Sequence, residues 1–174
     1  MAEILRLDGD GNRLVPLASG TCSSEAARSL LAKQTVSDLL PGAPAPEAAL
    51  GGLWLYFGCR EECHHIVQQL ESSDASFWHA IVHRQEPDAG NSSYWFRRVG
   101  DHPVFPLLRM AAQEIVEHHP GSGVRLEAKW NPFAFIDLCE QVRRKPDARS
   151  ERCALEIQRA EWQLLFDHCA RNAV

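Results

Sequence analysis

Apolar residues in most of this chain recur three and four positions apart, which is the spacing of one face of an α-helix. Behind Pro103, five residues share such a face: Val104, Leu107, Leu108, Ala111 and Ile115. Comparable segments cover the ranges 24–33, 46–57, 59–71, 74–85, 131–144 and 150 onward. Each amphipathic helix must bury its apolar stripe against another helix, so the pattern predicts an all-α fold, an irregular helical bundle.

Helix-capping signals agree with this spacing. Asn131-Pro132 is typical of a cap followed by a first turn, and Thr35 with Asp38 resembles a capping box. The Pro-rich connector at 41–46 is too short to separate two domains. A chain of 174 residues fits one compact unit, so we expect a single helical domain over residues 1–174.

Residues 1–20 differ from the rest. Two short apolar pieces, 4–7 and 13–17, flank the turn-forming stretch Asp8-Gly9-Asp10-Gly11-Asn12. This pattern predicts an N-terminal arm, either a short β-hairpin or an extended segment.

Charge and apolar run length exclude several classes of protein. A net charge of −5 argues against nucleic-acid binding, which needs a basic face. The longest apolar run, residues 48–57, is too short to cross a bilayer, and the N-terminus lacks the pattern of a secretory signal. The six cysteines include Cys63 and Cys139 on apolar helix faces, so we expect buried free thiols and a cytoplasmic location.

Polar and aromatic residues are concentrated between Phe77 and Phe105. The stretch contains Trp-His-Ala-Ile-x-His-Arg-x-Glu-x-Asp from Trp78, followed by Asn, Tyr-Trp-Phe-Arg and His-Pro. In this pattern the chain resembles a group of bacterial and fungal hypothetical proteins. The resemblance extends upstream through Gly52-Leu-Trp-Leu and His65-Ile-Val-Gln and covers about a third of the chain. It implies no activity, cofactor or catalytic residue.

Four residues of this stretch are candidates for catalysis. His79, His83 and Glu86 are spaced i, i+4 and i+7, which places them on one helix face, and Asp88 follows closely. Histidine exchanges protons near neutral pH and carboxylates can orient it, so the set suits general acid–base chemistry.

A metal site is a related possibility. Glu62 and His65 are spaced i, i+3 on the preceding helix, and with His83 they form a candidate ligand set. Imidazole and carboxylate ligands suit zinc, manganese or iron, and three of them leave a position open for water.

A small anionic ligand is suggested by the cations of the same stretch. A guanidinium group can bind a carboxylate or phosphate through two parallel hydrogen bonds. Neighbouring aromatic rings offer a surface on which the rest of the ligand can stack. The candidate ligand-binding residues are Arg84, Asn91, Tyr94, Arg97, Arg98 and His102.

Two hypotheses therefore remain. In the first, residues 62–102, which include a predicted loop at 87–102, form the pocket of a small-molecule-binding protein or enzyme. It acts on a small anionic ligand, with or without the help of a metal ion. In the second, the chain is a non-catalytic interaction module, and residues 78–102 pair with one another to brace a loop. Convergence of these side chains in one cavity favours the first hypothesis, and internal pairing favours the second. The sequence does not indicate an oligomeric state.

Overall fold

The computed structural model describes residues 1–18 and 20–171, and within them the chain is all-α, as predicted. A 3-10 helix, Arg6–Asp8, follows the first α-helix. In this part of the chain there are ten α-helices: α1 (Ala2–Leu5), α2 (Glu25–Leu31), α3 (Val36–Leu39), α4 (Pro46–Tyr56), α5 (Arg60–Val67), α6 (Ser73–Gln85), α7 (Ala89–Val99), α8 (Val104–His118), α9 (Pro132–Arg144) and α10 (Ala148–Ala170).

Side-chain caps fix where several helices begin. The Oδ1 atom of Asn131 accepts hydrogen bonds from the backbone N–H groups of Phe133 and Ala134. The hydroxyl of Thr35 accepts one from Asp38 N at 3.2 Å and donates to the Asp38 carboxylate at 2.6 Å, so Thr35 is the cap of α3, although the return bond of a full capping box is replaced by this side-chain contact. These contacts satisfy donors that the first turn of a helix cannot pair internally. Local sequence therefore sets these boundaries.

Residues 87–102, which the sequence suggests are a loop, are largely helical. Asp88 caps α7 by accepting a hydrogen bond from Asn91 N at 3.0 Å. The Ser92 hydroxyl then donates to the Ala80 carbonyl of α6 at 2.8 Å, and Phe96 is buried against the core. Packing on α6 thus outweighs the weak helix propensity of the Gly-Asn-Ser-Ser stretch.

The predicted N-terminal β-hairpin is wrong, since residues 2–8 are helical and residues 12–16 form an irregular arm. Side chains from other helices bond the backbone groups that a hairpin would pair. The Tyr56 hydroxyl accepts from Gly11 N at 3.0 Å, and Gln158 donates to the Val15 carbonyl at 2.8 Å. Arg143 donates to the Leu17 carbonyl at 2.7 Å. Tertiary contacts therefore hold this arm in place of strand pairing.

Two helices carry most of the core. The last helix, α10, packs against α4, α8 and α9, while α6 packs against α4, α5 and α7. Residues 75–85 of α6 are all buried, because neighbouring helices cover both its apolar and its polar face. The polar residues of α6 therefore need partners inside the protein. No helix within the described ranges is long and apolar enough to span a bilayer.

The sequence suggests that the cysteines are free thiols, but two of the six form a disulfide. Cys22 and Cys59 form a disulfide between the segment before α2 and the start of α5. Next to it, Ser23 N donates to the Phe57 carbonyl at 2.7 Å, so backbone pairing also joins the two segments. Four other thiols are free and buried: Cys63, Cys139, Cys153 and Cys169.

Candidate metal centre

Two histidines of α6 lie side by side on one face of the helix. His79 and His83 are four residues apart, and their rings stack with 4.9 Å between centroids and 20° between planes. Both are buried, with 3% of His79 and 9% of His83 exposed. The i, i+4 spacing brings these two predicted site residues together, as expected for a helix.

The neighbouring helix α5 supplies a third imidazole, that of His64. Its ring lies edge-on to His79, with 4.6 Å between centroids, and to His83, with 5.4 Å between centroids. One ring nitrogen of each histidine lies within 4.8 Å of the other two. Neutral imidazole is the commonest protein ligand for transition metals, so the three rings form a potential coordination set, the three-histidine cluster.

A carboxylate orients one ring of the cluster. Glu86, at the end of α6, lies 2.9 Å from Nδ1 of His83, and its other oxygen accepts from Arg60 at 3.1 Å. An ionised carboxylate only accepts hydrogen bonds, so Nδ1 of His83 carries the proton and Nε2 keeps its lone pair. Zinc-binding histidines in proteins are commonly held in this way.

Trp95 of α7 covers another side of His79. Its ring stacks on the imidazole, with 3.8 Å between the ring centroids. The Nδ1 atom of His79 is buried and has no hydrogen-bond partner in the described part of the chain. Burial, together with the smaller effects of the neighbouring His64 and His83, lowers the pKa of His79 to about 3. Burial and His83 also lower the pKa of His64. These two rings are therefore neutral near pH 7, as metal ligands must be.

The predicted metal ligands Glu62 and His65 lie apart from the cluster. Glu62 pairs with Arg28 of α2 at 2.8 Å, and His65 is exposed. Successive residues of a helix point about 100° apart, so His64 and His65 cannot face the same neighbour.

Two residues of α5, His64 and Arg60, were missed by the sequence analysis. Their four-residue spacing is the signal that links them, because it places both on the side of α5 that meets α6. The buried residue Cys63 indicates roughly where that side lies, but only the packing of α5 on α6 selects His64 over His65.

A second group of three potential ligands, Asp74, His102 and His168, has a different chemistry. Asp74 accepts from Nε2 of His102 at 2.9 Å and lies 3.2 Å from Nε2 of His168. The Val104 N–H donates to Nδ1 of His102 at 3.2 Å, so the ring proton must reside on Nε2. His102 therefore presents a donor and not a lone pair to this group, and the arrangement is a hydrogen-bonded clamp.

Arg84, predicted to bind a ligand, lies in the core. Its guanidinium forms a two-bond ion pair with Glu161 of α10, and both side chains are fully buried. Gln158 lies 3.5 Å away, and the guanidinium stacks 4.5 Å from the ring centre of Phe135. Removing one partner from such a pair costs about 3–5 kcal/mol, so Arg84 braces α6 against α10.

Asp88 and Asn91 form the cap of α7. Beyond the backbone contact, the Asn91 amide donates to the second Asp88 oxygen at 3.0 Å. Hydrogen bonds from the Asn91 backbone and side chain lower the pKa of Asp88. Both residues are at the surface, and their arrangement accounts for the polar pattern without a ligand.

The remaining predicted ligand-binding residues are on the exposed side of α7. Tyr94 is 49% exposed, while Arg98 lies 5.3 Å from the ring centre of Trp95 and Arg97 lies 5.8 Å from that of Phe133. Within the described residues neither guanidinium has a carboxylate partner. Arg98 therefore lies over Trp95, the residue that stacks on His79, and has no ion-pair partner among the described residues.

The polar stretch thus divides into two parts. His79, His83 and Glu86 converge with His64 and Arg60, whereas the other predicted residues brace or cap helices or lie on the surface. Fold and site together define an all-α protein with a three-histidine cluster between two helices. No family model, no curated protein and no solved structure matches this chain.

Proposed function

We propose that this protein binds a divalent transition-metal ion, zinc foremost, through His64, His79 and His83. The observation that supports the proposal is the convergence of three imidazoles whose ring nitrogens lie within 4.8 Å of one another. Within the described chain, the one hydrogen bond made by these rings is that between His83 and Glu86. The other ring nitrogens are thus available as ligands.

The arrangement is costly for the protein alone. Buried polar groups in folded proteins are almost always paired, yet Nδ1 of His79 is not. An ion bonded to the three rings would offset the loss of their hydration. Tetrahedral zinc holds its nitrogen ligands about 3.3 Å apart, so an ion would need to draw the ring nitrogens together by no more than about 1.5 Å.

Three protein ligands leave a fourth position for water or an anion, which is the composition of a catalytic zinc site. Zinc lowers the pKa of bound water to about 7. Two cations are linked to the cluster through its neighbours, Arg60 through Glu86 and Arg98 through Trp95, and they favour an anionic substrate. The proposed activity is therefore metal-assisted hydrolysis of a small anionic compound.

Zinc binding to the chelator-stripped protein tests the proposal. We expect calorimetric titration to give one zinc per chain. His64→Gln should weaken binding by more than about 100-fold, and Glu86→Gln by about 10–100-fold, as for other carboxylates that orient metal ligands. His65→Gln is the matched control, because it changes the adjacent, exposed histidine and should leave the affinity unchanged.

Two results would overturn the metal site. One is the absence of stoichiometric binding of zinc, manganese or iron to the stripped protein. The other is an equal loss of affinity in His64→Gln and His65→Gln. Circular dichroism of each variant shows whether it is folded.

A bracing role for the whole stretch is the second candidate function, and the Arg84–Glu161 pair and the His102 clamp favour it. The thermal stability of His83→Ala distinguishes the two. In a metal site the metal-free variant unfolds near the wild-type temperature and no longer gains stability from zinc. A bracing residue would lower the unfolding temperature by several degrees without metal.

The cytoplasmic location stays a prediction. The four buried free thiols favour it, whereas the Cys22–Cys59 disulfide is typical of oxidising compartments. Alkylation of thiols in freshly lysed cells distinguishes these settings. Membership of the group that shares the Trp78 pattern also stays a prediction.

A further inference from the structure

An open cavity of about 720 Å³ lies along α8, and no residue of α5 lines it. Its apolar wall includes Phe105, Pro106, Met110 and Trp130. Met110 is 64% exposed, so this apolar side chain is accessible to a ligand. The volume falls within the range of small-molecule sites in proteins, about 300–1,000 Å³.

A second cavity of about 280 Å³ adjoins the first, and Arg109, Lys129 and Trp130 line both. Arg109 donates to the Glu127 carbonyl at 2.5 Å and to Gln113 at 3.1 Å, so its contacts are with neutral groups. Lys129 is exposed, and in the described part of the chain neither cation forms an ion pair. The ridge between the cavities therefore carries two cations that have no ion-pair partner among the described residues.

Trp130 adds an unused hydrogen-bond donor at this ridge. The residue is 8% exposed and its ring packs 5.4 Å from that of Phe135. Its indole N–H is buried and has no acceptor among the described residues. Buried donors are normally paired, so an acceptor from outside the chain would complete this site.

We infer that the groove along α8, formed by these two cavities, binds an amphipathic organic anion. The apolar body of the ligand, a fused aromatic ring or an acyl chain, fits the wall formed by Phe105, Pro106 and Met110. Its carboxylate or sulfonate group fits Arg109, Lys129 and the indole N–H of Trp130. The acids Asp101, Glu127 and Asp137 also line the cavities, which disfavours a ligand with more than one negative charge.

A free, monomeric ligand suits the groove better than a polymer or a membrane. The two cavities are local, and the chain has an overall charge of −5, which repels anionic bilayers and nucleic acids. The inference does not depend on the metal site, since the groove shares no residue with the three-histidine cluster.

Fluorescence titration with 1-anilinonaphthalene-8-sulfonate tests the inference, with decanoate as a competing ligand. We expect one dye molecule per chain, displaced by decanoate. Lys129→Met should raise the dissociation constant of the dye about tenfold, by removing one charge-assisted contact. Met110→Glu should raise it at least as much, because the new charge repels the anion. Both sites are exposed, so both variants should fold.

The matched control is Lys145→Met, which removes an exposed lysine at the end of α9, outside the groove. This variant should bind the dye with unchanged affinity. An equal effect of Lys129→Met and Lys145→Met would overturn the inference, as would dye binding that decanoate does not displace. Binding to phosphatidylglycerol vesicles without binding of the monomeric dye would also overturn it, in favour of a membrane contact.

Discussion

At the level of single residues, the hydrogen bond made by one ring nitrogen of a histidine decides whether the other ring nitrogen is a donor or a lone pair. In His83 this nitrogen, Nδ1, donates to Glu86, which leaves the lone pair of Nε2 free. In His102 it accepts from the Val104 N–H, which leaves a donor facing Asp74. Both groups have three potential ligands at similar distances, yet hydrogen bonding makes only the first a candidate for metal.

Asp74 gives a pH-dependent prediction for the clamp. Its pKa is lowered in the folded protein, chiefly by the hydrogen bond from His102, although burial opposes the shift. The unfolded chain therefore binds more protons near pH 4, and the stabilisation by Asp74 is lost as the pH falls through the lowered pKa. We expect Asp74→Asn to reduce the free energy of unfolding at pH 7 by about 1–2 kcal/mol, measured by urea denaturation.

The difference between wild type and Asp74→Asn should shrink as the pH falls below about 4, where Asp74 of the unfolded chain becomes protonated, and should vanish below the lowered pKa of the folded protein, where the folded carboxylate is protonated too. Asp101→Asn is the control, since Asp101 is exposed and should show little effect at any pH. A difference that stays constant from neutral pH to about pH 2 would contradict the assigned role of the Asp74 charge.

Between elements, α4 and α6 approach each other closely at Gly52. A Cβ atom on Gly52 would lie 2.6 Å from the Trp78 ring. The Gly52 carbonyl also accepts from the Trp162 indole at 2.7 Å, which joins α4 to α10. The absence of a side chain at this position thus allows three helices to meet. Their packing holds α6, and with it His79 and His83, in place.

Gly52→Ala tests this packing. Alanine favours helix over glycine by about 1 kcal/mol, but the overlap with the rigid Trp78 ring should outweigh that gain. We expect a net loss of about 1–3 kcal/mol in the free energy of unfolding, measured by chemical denaturation.

Gly90→Ala is the matched change in an open position of α7, where the nearest atom, Asp88 Oδ1, is 3.5 Å from the added Cβ. It should be neutral or stabilise the protein by up to about 1 kcal/mol. Stabilisation by both substitutions would show that α4 and α6 can separate without cost, contrary to the packing described.

In the whole molecule, contacts distant in sequence fasten the irregular N-terminal arm to the bundle. Side chains of α9 and α10 donate to three carbonyls of the arm, those of Gly11, Val15 and Leu17. Asp8 forms an ion pair with Arg13 at 3.0 Å, and the Tyr56 hydroxyl donates to the Asp8 carbonyl. The two ends of the chain are therefore parts of one structure.

The Cys22–Cys59 disulfide closes a loop between positions 37 residues apart. Closure reduces the conformational freedom of the unfolded chain, which for such a loop corresponds to about 3–4 kcal/mol of stability. We expect a reductant to lower the unfolding temperature of the metal-free wild type and to leave that of Cys22→Ser/Cys59→Ser unchanged. Calorimetry of both proteins with and without reductant measures this. An unchanged wild-type temperature would mean that the bond contributes nothing.

The sequence by itself determined the helical class and several helix boundaries. The reason is that helix propensity, capping and apolar spacing act within about four residues along the chain. Asn131 and Thr35 show this, since their caps form as predicted. The same local interactions bring His79 and His83 together.

Only the tertiary structure decided what each polar residue faces. Arg84 pairs with Glu161, which is 77 positions away in the sequence. His64, and not the predicted His65, contacts α6. Both contacts are set by how the helices pack. Local pattern also misjudged residues 89–99 and the N-terminal arm, where contacts with distant helices outweigh weak local preferences. The physical reason is range: helices form through near neighbours, whereas a binding site depends on how the helices are rotated against one another.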